Sequence, residues 1–158
     1  NGEIDYRIKG VHAKVRVLWN FEAPPGAGDT HYSVLRGSKA NLVIRQGTAE
    51  AWQPVLYIEP ATSAFAAQLP TAIEQAIPEV RAAFPGVGVE HFGNAWRVVV
   101  PQSYHVGHEA HFAQVAAEFL RYVGERALPA WEVPAMIAKY KTTTSALTLA
   151  RDATRRTP

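Results

Sequence analysis

The sequence feature that most constrains the fold is an alternation of apolar and polar residues over Val11–Phe21. Successive side chains of a β-strand point to opposite faces, so this period of two predicts a half-buried strand. One face is apolar and the other is polar, with Leu18 as the exception. A sheet with one solvated face is typical of antiparallel pairing. We therefore expect the N-terminal part of the chain to form an antiparallel sheet.

More strands are predicted beyond a break at Pro24–Asp29. Proline fixes φ and glycine permits positive φ, so this break predicts a turn or loop. Residues Gly93-Asn94 have the composition of a hairpin turn. The further strand candidates are Thr30–Leu35, Ala40–Gln46, Val55–Glu59, Val87–Phe92 and Ala95–Val100.

Three segments repeat apolar residues at helical spacing: Leu69–Phe84, Gly107–Val123 and Pro134 to about Ala153. We expect Pro78 to kink or split the first helix, and Gly124 to end the second. The β-branched run Thr142–Thr144 should weaken the third helix locally. The side chains expected to face inward are Phe112, Val115, Ala116, Phe119, Leu120 and Val123 on the second helix and Met136, Ile137, Tyr140, Leu147 and Ala150 on the third.

The composition favours one folded domain. The chain has 158 residues, of which 47% are hydrophobic and 19% are charged, which is ordinary for a globular protein. We expect a single α+β domain over residues 1–153, with a frayed tail over 154–158. Its predicted architecture is an open, largely antiparallel sheet with helices packed on one face.

Charge and cysteine content exclude several classes of function. The net charge is +2, which gives no argument for nucleic acid or a membrane surface as partner. The absence of cysteine excludes a disulfide scaffold, a cysteine zinc site and a thiol nucleophile. No apolar run approaches the roughly 18 residues that span a bilayer, and no signal-peptide pattern is present, so a cytoplasmic location is favoured. The start at Asn1 indicates a piece of a longer protein.

The glycine-rich stretch Gly26–Thr30 is the first candidate binding loop. It does not match a dinucleotide fingerprint, because His31 stands where the third glycine belongs. It does not match a phosphate-binding loop either, since no helix begins there. The open readings are a plain turn and a substrate-facing loop that carries Asp29 and His31.

Arg36, Lys39 and Arg45 surround the next predicted hairpin. Guanidinium groups form bidentate hydrogen bonds to carboxylates and phosphates, so these residues could hold an anionic substrate. A solvated strand face is the alternative.

His105, His108 and His111 follow one another at steps of three residues, with Glu109 beside them. Two imidazoles three residues apart on a helix could share a metal, but three such steps drift around the helix. Helix capping, substrate contact at His108 and a bound metal all stay open. Our site assignment includes no metal.

Two blocks of sequence carry a family resemblance. They resemble the C-terminal domain of oxidoreductases of the Gfo/Idh/MocA group, and the resemblance covers nearly the whole chain. The blocks are Trp19–Pro24, Gly28–Ser33 and Arg36–Gly47 in the first half, and Tyr104–Phe112, Pro129–Glu132 and Ala138–Thr144 in the second.

The resemblance implies a substrate and oligomerisation domain that follows an N-terminal Rossmann domain of the same protein. It implies NAD or NADP as the parent protein's cofactor and a sugar or polyol as its substrate. It also implies homo-oligomers that associate through the sheet. The sequence lacks the Rossmann fingerprint and the group's Glu-Lys-Pro and Asp-x-x-x-His segments. We therefore expect no cofactor in this chain and no catalysis by it alone.

Position within the matching blocks, together with side-chain chemistry, makes Asp29, His31, Arg36 and Lys39 the candidate substrate-binding residues. His108 is a weaker candidate. The alternative is a non-catalytic carbohydrate-binding or oligomerisation module.

Overall fold

The computed structural model describes residues 2–19 and 22–156, which belong to two compact units. One unit joins residues 1–21 to residues 107–158, and the other comprises residues 22–106. The elements in chain order are β1 (Gly2–Ile8), β2 (Val11–Val17), β3 (His31–Arg36), β4 (Ala40–Gln46), β5 (Val55–Pro60), α1 (Leu69–Ala83), β6 (Gly88–Phe92), β7 (Ala95–Val99), α2 (Gly107–Glu125) and α3 (Glu132–Arg156).

The unit of residues 22–106, here called the sheet unit, contains a five-stranded sheet of order β3-β4-β5-β7-β6. All of its neighbouring strands are antiparallel. The predicted α+β class with an open antiparallel sheet is therefore confirmed. The hairpin between β6 and β7 turns at Gly93-Asn94 as predicted, and the positive φ of Gly93, 59°, suits the first position of a type II′ turn.

One buried cluster of the sheet unit lies on one face of its sheet. Val43 is opposite Val34 on one side and Tyr57 on the other, so the three side chains share a face. Val43, Tyr57 and Ala95 are buried together, and Val34 and Val55 pack against them. This cluster fixes the register, because a slip of one residue would turn it towards solvent.

Helix α1 buries Leu69 and Ile73, four residues apart on one stripe. Pro70 lies in its first turn, where the missing N–H is not needed. Of the two expectations for Pro78, the split does not occur, since the helix continues through that residue to Ala83, and the kink stays a prediction. This helix therefore tolerates the loss of the backbone hydrogen bond that proline cannot donate.

The other unit, here called the helix unit, begins with a hairpin of β1 and β2. Strand β1 was missed by the sequence analysis, although Ile4, Tyr6 and Ile8 alternate with charged residues. The two-residue turn Lys9-Gly10 has φ values of 49° and 82°, as a type I′ turn requires.

The long strand predicted over Val11–Phe21 is shorter in the structure. Strand β2 ends at Val17, and Trp19 is 84% exposed outside it. Residues 20 and 21 lie outside the described residues. The described ladder between β1 and β2 ends where Gly2 pairs with Val17.

Helices α2 and α3 run further than predicted. Gly124 does not end α2, which continues to Glu125 before Arg126 adopts a left-handed φ of 52°. Helix α3 begins at Glu132 and includes residues 154–156 of the tail expected to fray. Helix α3 is continuous through the threonine run, where the hydroxyls of Thr143 and Thr144 donate to backbone carbonyls of the preceding turn. The local weakening stays a prediction.

The apolar side chains expected to face inward on α2 and α3 are largely exposed. Phe112, Phe119, Ile137 and Tyr140 each keep more than half of their surface accessible, and on α2 only Ala116 of the predicted stripe is half-buried. The prediction of two helices from this periodicity is confirmed. Periodicity does not indicate whether another element packs against the apolar face of a helix. Among the described residues, no helix is long and apolar enough to cross a membrane.

Candidate functional site

The four candidate residues of the sheet unit lie at two ends of one strand. Asp29 and His31 are at the start of β3, whereas Arg36 ends the strand and Lys39 belongs to the following turn. Five residue steps separate His31 from Arg36, which is about 17 Å along a strand. The structure therefore brings the candidates together as two pairs and not as one cluster. All four are exposed.

The loop before Asp29 is held by local packing. Within it, Ala27 N–H donates to the Pro24 carbonyl at 2.9 Å. A Cβ added to Gly28 would lie 2.9 Å from Trp52 Cβ, so the indole passes directly over this glycine. Gln46 Nε2 donates to the Trp52 carbonyl at 3.0 Å and holds that residue against β4. The glycine is thus needed for close approach to Trp52.

This loop does not fit a nicotinamide dinucleotide. The chain passes from Gly28 into strand β3, so no helix N-terminus points at the glycines to bind a pyrophosphate. The space above Gly28 is filled by the Trp52 side chain. The loop turns at Pro25-Gly26 and leads Asp29 into β3, which begins at His31.

The opposite end of β3 is the tip of the β3–β4 hairpin. Gly37 N–H donates to the Ala40 carbonyl at 3.0 Å, and Ala61 N–H donates to the Lys39 carbonyl at 2.9 Å. Within the described residues, no carboxylate lies within 4 Å of the Arg36 guanidinium or the Lys39 ammonium. These two cations are therefore available to an anionic group.

His108 belongs to the helix unit, in the first turn of α2 beside Glu109. His105 precedes the helix, and His111 lies one turn further along it. In the part of the chain that the structure describes, no group of three or more His, Asp or Glu side chains could hold a metal ion.

The sequence analysis missed a network of charged groups on one face of the five-stranded sheet. Strand register places Arg45, Tyr57, Glu59, Arg97 and Glu90 on the same face as the buried Val43. We call these five residues, with Glu50 after β4, the charged face. Only Arg45 among them had been considered. The missing signal is register, because cross-strand neighbours are set by pairing and not by sequence spacing.

Tyr57 is the centre of the charged face. It is only 3% exposed, its ring centroid lies 5.0 Å from the Arg45 guanidinium carbon, and the Phe92 ring packs 5.7 Å away. The phenol donates to Glu50 Oε1 at 3.2 Å. Burial, and then the Glu50 carboxylate, raise the pKa of Tyr57 above its usual value of 10.0. The phenol is therefore a neutral hydrogen-bond donor at physiological pH.

Two ion pairs flank Tyr57. Arg45 is bonded to Glu59 across the ring of the tyrosine, and Arg97 donates to Glu90 Oε2 at 2.7 Å. The hydrogen bond that Arg97 donates to Glu90 raises the pKa of Arg97, which therefore stays charged. The Arg97 Nε–H is buried and has no hydrogen-bond partner among the described residues.

The chemistry of the charged face suits hydroxyl groups better than anions. Its three carboxylates outnumber its two guanidinium groups, so no net positive charge is left to bind phosphate or carboxylate. Its guanidinium donors lie beside carboxylate acceptors, and a hydroxyl group can both donate and accept. Tyr32, opposite Arg45, adds a largely exposed ring at its margin.

Comparison with known protein families identifies the family of this chain. Residues 1–151 match a family model described as "Putative oxidoreductase C terminal domain". The chain belongs to this family of oxidoreductase C-terminal domains. The match covers both units described above.

A solved structure supports the same assignment. The chain is similar to a "putative oxidoreductase" from Parabacteroides merdae ATCC 43184, with 49% sequence identity and a TM-score of 0.90. The match covers 96% of this chain and 35% of the solved one, so the domain spans about a third of that relative's length. No curated protein matches the sequence.

Proposed function

We propose that this C-terminal domain forms the substrate side of an NAD(P)-dependent oxidoreductase that acts on a sugar or polyol. The parent enzyme would be of the Gfo/Idh/MocA type, with the cofactor held by a Rossmann domain elsewhere in the parent protein. The domain alone would bind and orient substrate without turning it over. A cytoplasmic location is part of the same proposal.

The charged face is the observation that carries this proposal. Ion-paired guanidinium and carboxylate groups stand side by side on an open sheet, where each can also hydrogen bond to a hydroxyl of a ligand. Specific sites for small molecules combine a few oriented polar groups with apolar surface. The buried Tyr57 supplies the rigid base on which both arginines are held.

The four candidates of the sheet unit add a sharper expectation. A monosaccharide is much shorter than the roughly 17 Å between His31 and Arg36. A small substrate would therefore contact either the Asp29 pair or the Arg36 pair. In the parent enzyme, alanine substitutions at one pair should raise KM several-fold, whereas the same changes at the other pair should leave it unchanged.

The direct test uses the parent protein with NAD and NADP and a panel of polyols that includes myo-inositol and glucose. Formation of reduced nicotinamide, read by its absorbance, is the expected result. In the same protein, Glu59→Gln should raise KM because it removes an acceptor from the charged face. Glu118→Gln, an exposed acid on α2, is the matched control and should not change KM.

Two results would contradict this proposal. One is a parent reading frame without a strand, a Gly-x-Gly-x-x-Gly turn and a helix. The other is a parent enzyme whose KM responds equally to Glu59→Gln and Glu118→Gln.

An oligomerisation module is the second candidate. The face of the sheet opposite the charged face presents Leu35 and Leu42 directly across from each other, and Leu35 is 75% exposed. A dimer formed through this face would bury about 1,600 Å² in a standard interface. Light scattering should then report a dimer that Leu35→Lys converts to a monomer. A chain that is monomeric without the substitution would contradict this reading.

A further inference from the structure

The helix unit contains an apolar groove of about 780 Å³ between the β1–β2 hairpin and α3. Ile4, Tyr6 and Val15 line it from the hairpin, and Ala135, Ala138 and Thr142 line it from the helix. The volume lies within the range of about 300–1,000 Å³ that is usual for small-molecule sites. No residue of this groove belongs to the charged face.

Sequence explains why the groove is apolar and why it is open. Pairing places Ile4 opposite Val15 and Tyr6 opposite Ala13, so one face of the hairpin is apolar throughout. Helix α3 lines the opposite wall with the small side chains of Ala135, Ala138 and Thr142. Of these, Ala138 and Thr142 are half-buried. Small residues on one wall leave volume that the large residues of the other wall do not fill.

The charges at the groove are all positive. Lys9, at the hairpin turn, and Lys139, on α3, both line it. Within the described residues, neither ammonium has a carboxylate within 4 Å. The acids of the hairpin, Glu3 and Asp5, lie on its opposite face, where Lys14 and His12 hold them at 2.7 and 3.0 Å.

We propose that this groove binds a free alkyl carboxylate, with the chain between the hairpin and α3 and the carboxylate at Lys9 and Lys139. An uncharged apolar ligand would leave both ammonium groups without an anionic partner, and a cationic amphiphile would be repelled by them. The Tyr6 phenol, at the same groove, is a further donor for the head group. This inference is independent of the proposed oxidoreductase function, because it uses neither the charged face nor the β3 residues.

The test measures affinity by calorimetry for decanoate, decanol and decyltrimethylammonium, each as monomer below its micelle concentration. Decanoate should bind about three- to tenfold more tightly than decanol, since two exposed cations contribute modestly. The ammonium compound should bind most weakly. Affinity should rise by up to about fourfold for each methylene between octanoate and dodecanoate.

Variants of the chain locate the site. Lys9→Gln combined with Lys139→Gln should abolish the preference for decanoate over decanol and leave decanol affinity unchanged. Lys141→Gln, an exposed lysine on α3 that does not line the groove, should keep the preference. Ala138→Trp should fill the groove and abolish binding of both ligands, with folding checked by circular dichroism.

Four outcomes would overturn the inference. Equal affinity for decanoate and decanol would show that the groove binds the alkyl chain without selecting the carboxylate. Unchanged binding in Ala138→Trp would place the ligand elsewhere. A dimer that Ala138→Trp dissociates would identify a second copy as the occupant. Binding to phosphatidylglycerol vesicles without binding to monomeric decanoate would identify a lipid surface.

Discussion

The two units of this domain use the same kind of amphipathic sequence with different results. In the sheet unit, Val43, Tyr57 and Ala95 are buried together on one face of the sheet. In the helix unit, no hydrophobic residue that the structure describes is fully buried, although α2 and α3 carry clear apolar stripes. The difference teaches that an apolar stripe reports the capacity for burial, and that a packing partner decides whether burial occurs.

The largest expected contrast is between two tyrosines. Tyr57→Ala in the sheet unit should lower the free energy of unfolding by about 3–5 kcal/mol, since it empties a packed site. Tyr140→Ala in the helix unit should change it by less than about 1 kcal/mol, because this ring is 56% exposed. Urea unfolding of both variants measures the pair. Equal losses would remove the distinction between the units.

The second contrast concerns proline in α1. Pro78→Ala should raise the free energy of unfolding by about 1–3 kcal/mol, because it restores a backbone hydrogen bond inside the helix. Pro70→Ala in the first turn is the matched control and should change it by under about 0.5 kcal/mol. The same urea titrations apply. A gain at Pro70 as large as that at Pro78 would contradict the argument.

Two glycines should respond with opposite signs. Gly86→Ala in the sheet unit should cost about 1–2 kcal/mol, because φ is +86° and the new Cβ would lie 2.9 Å from Pro101 Cγ. Gly124→Ala in α2 should stabilise by up to about 1 kcal/mol, since the site is open and helical. Thermal unfolding should shift in opposite directions. Shifts of the same sign would show that the local backbone does not control either site.

The smallest expected effect is a pH dependence at Tyr57. Its pKa is raised in the folded chain above 10.0, so the unfolded phenol ionises first as pH rises. The contribution to stability is complete below about pH 10 and is lost as pH rises through the folded pKa. Tyr57→Phe should therefore show a flatter decline in stability above pH 10 than the unmodified chain. Parallel declines would contradict burial of this phenol.

Local pattern predicted much of the sheet unit. Strand β4 was predicted with its observed ends, Ala40 and Gln46, and the β6–β7 hairpin with its turn. Strand β1 was not predicted, although Ile4, Tyr6 and Ile8 alternate with charged residues over a shorter stretch than Val11–Phe21. Alternation of period two identifies a strand without identifying its partner.

The site could be predicted less well. Asp29, His31, Arg36 and Lys39 were predicted from their side-chain chemistry and their position within the matching blocks, and an extended strand separates them into two pairs. The charged face escaped notice because Arg45, Glu59, Arg97 and Glu90 come from four strands. Only register brings such residues together, and a single sequence carries little information about register.

Native-state hydrogen exchange of the chain tests the contrast between the units most directly. Buried, hydrogen-bonded strands exchange only through global unfolding, whereas elements with few buried contacts open locally. We expect amides of β4 and β5 to report the global free energy of unfolding, and amides of α2 and α3 to exchange much faster through local opening. Equal protection in α2, α3 and the central strands would contradict the account.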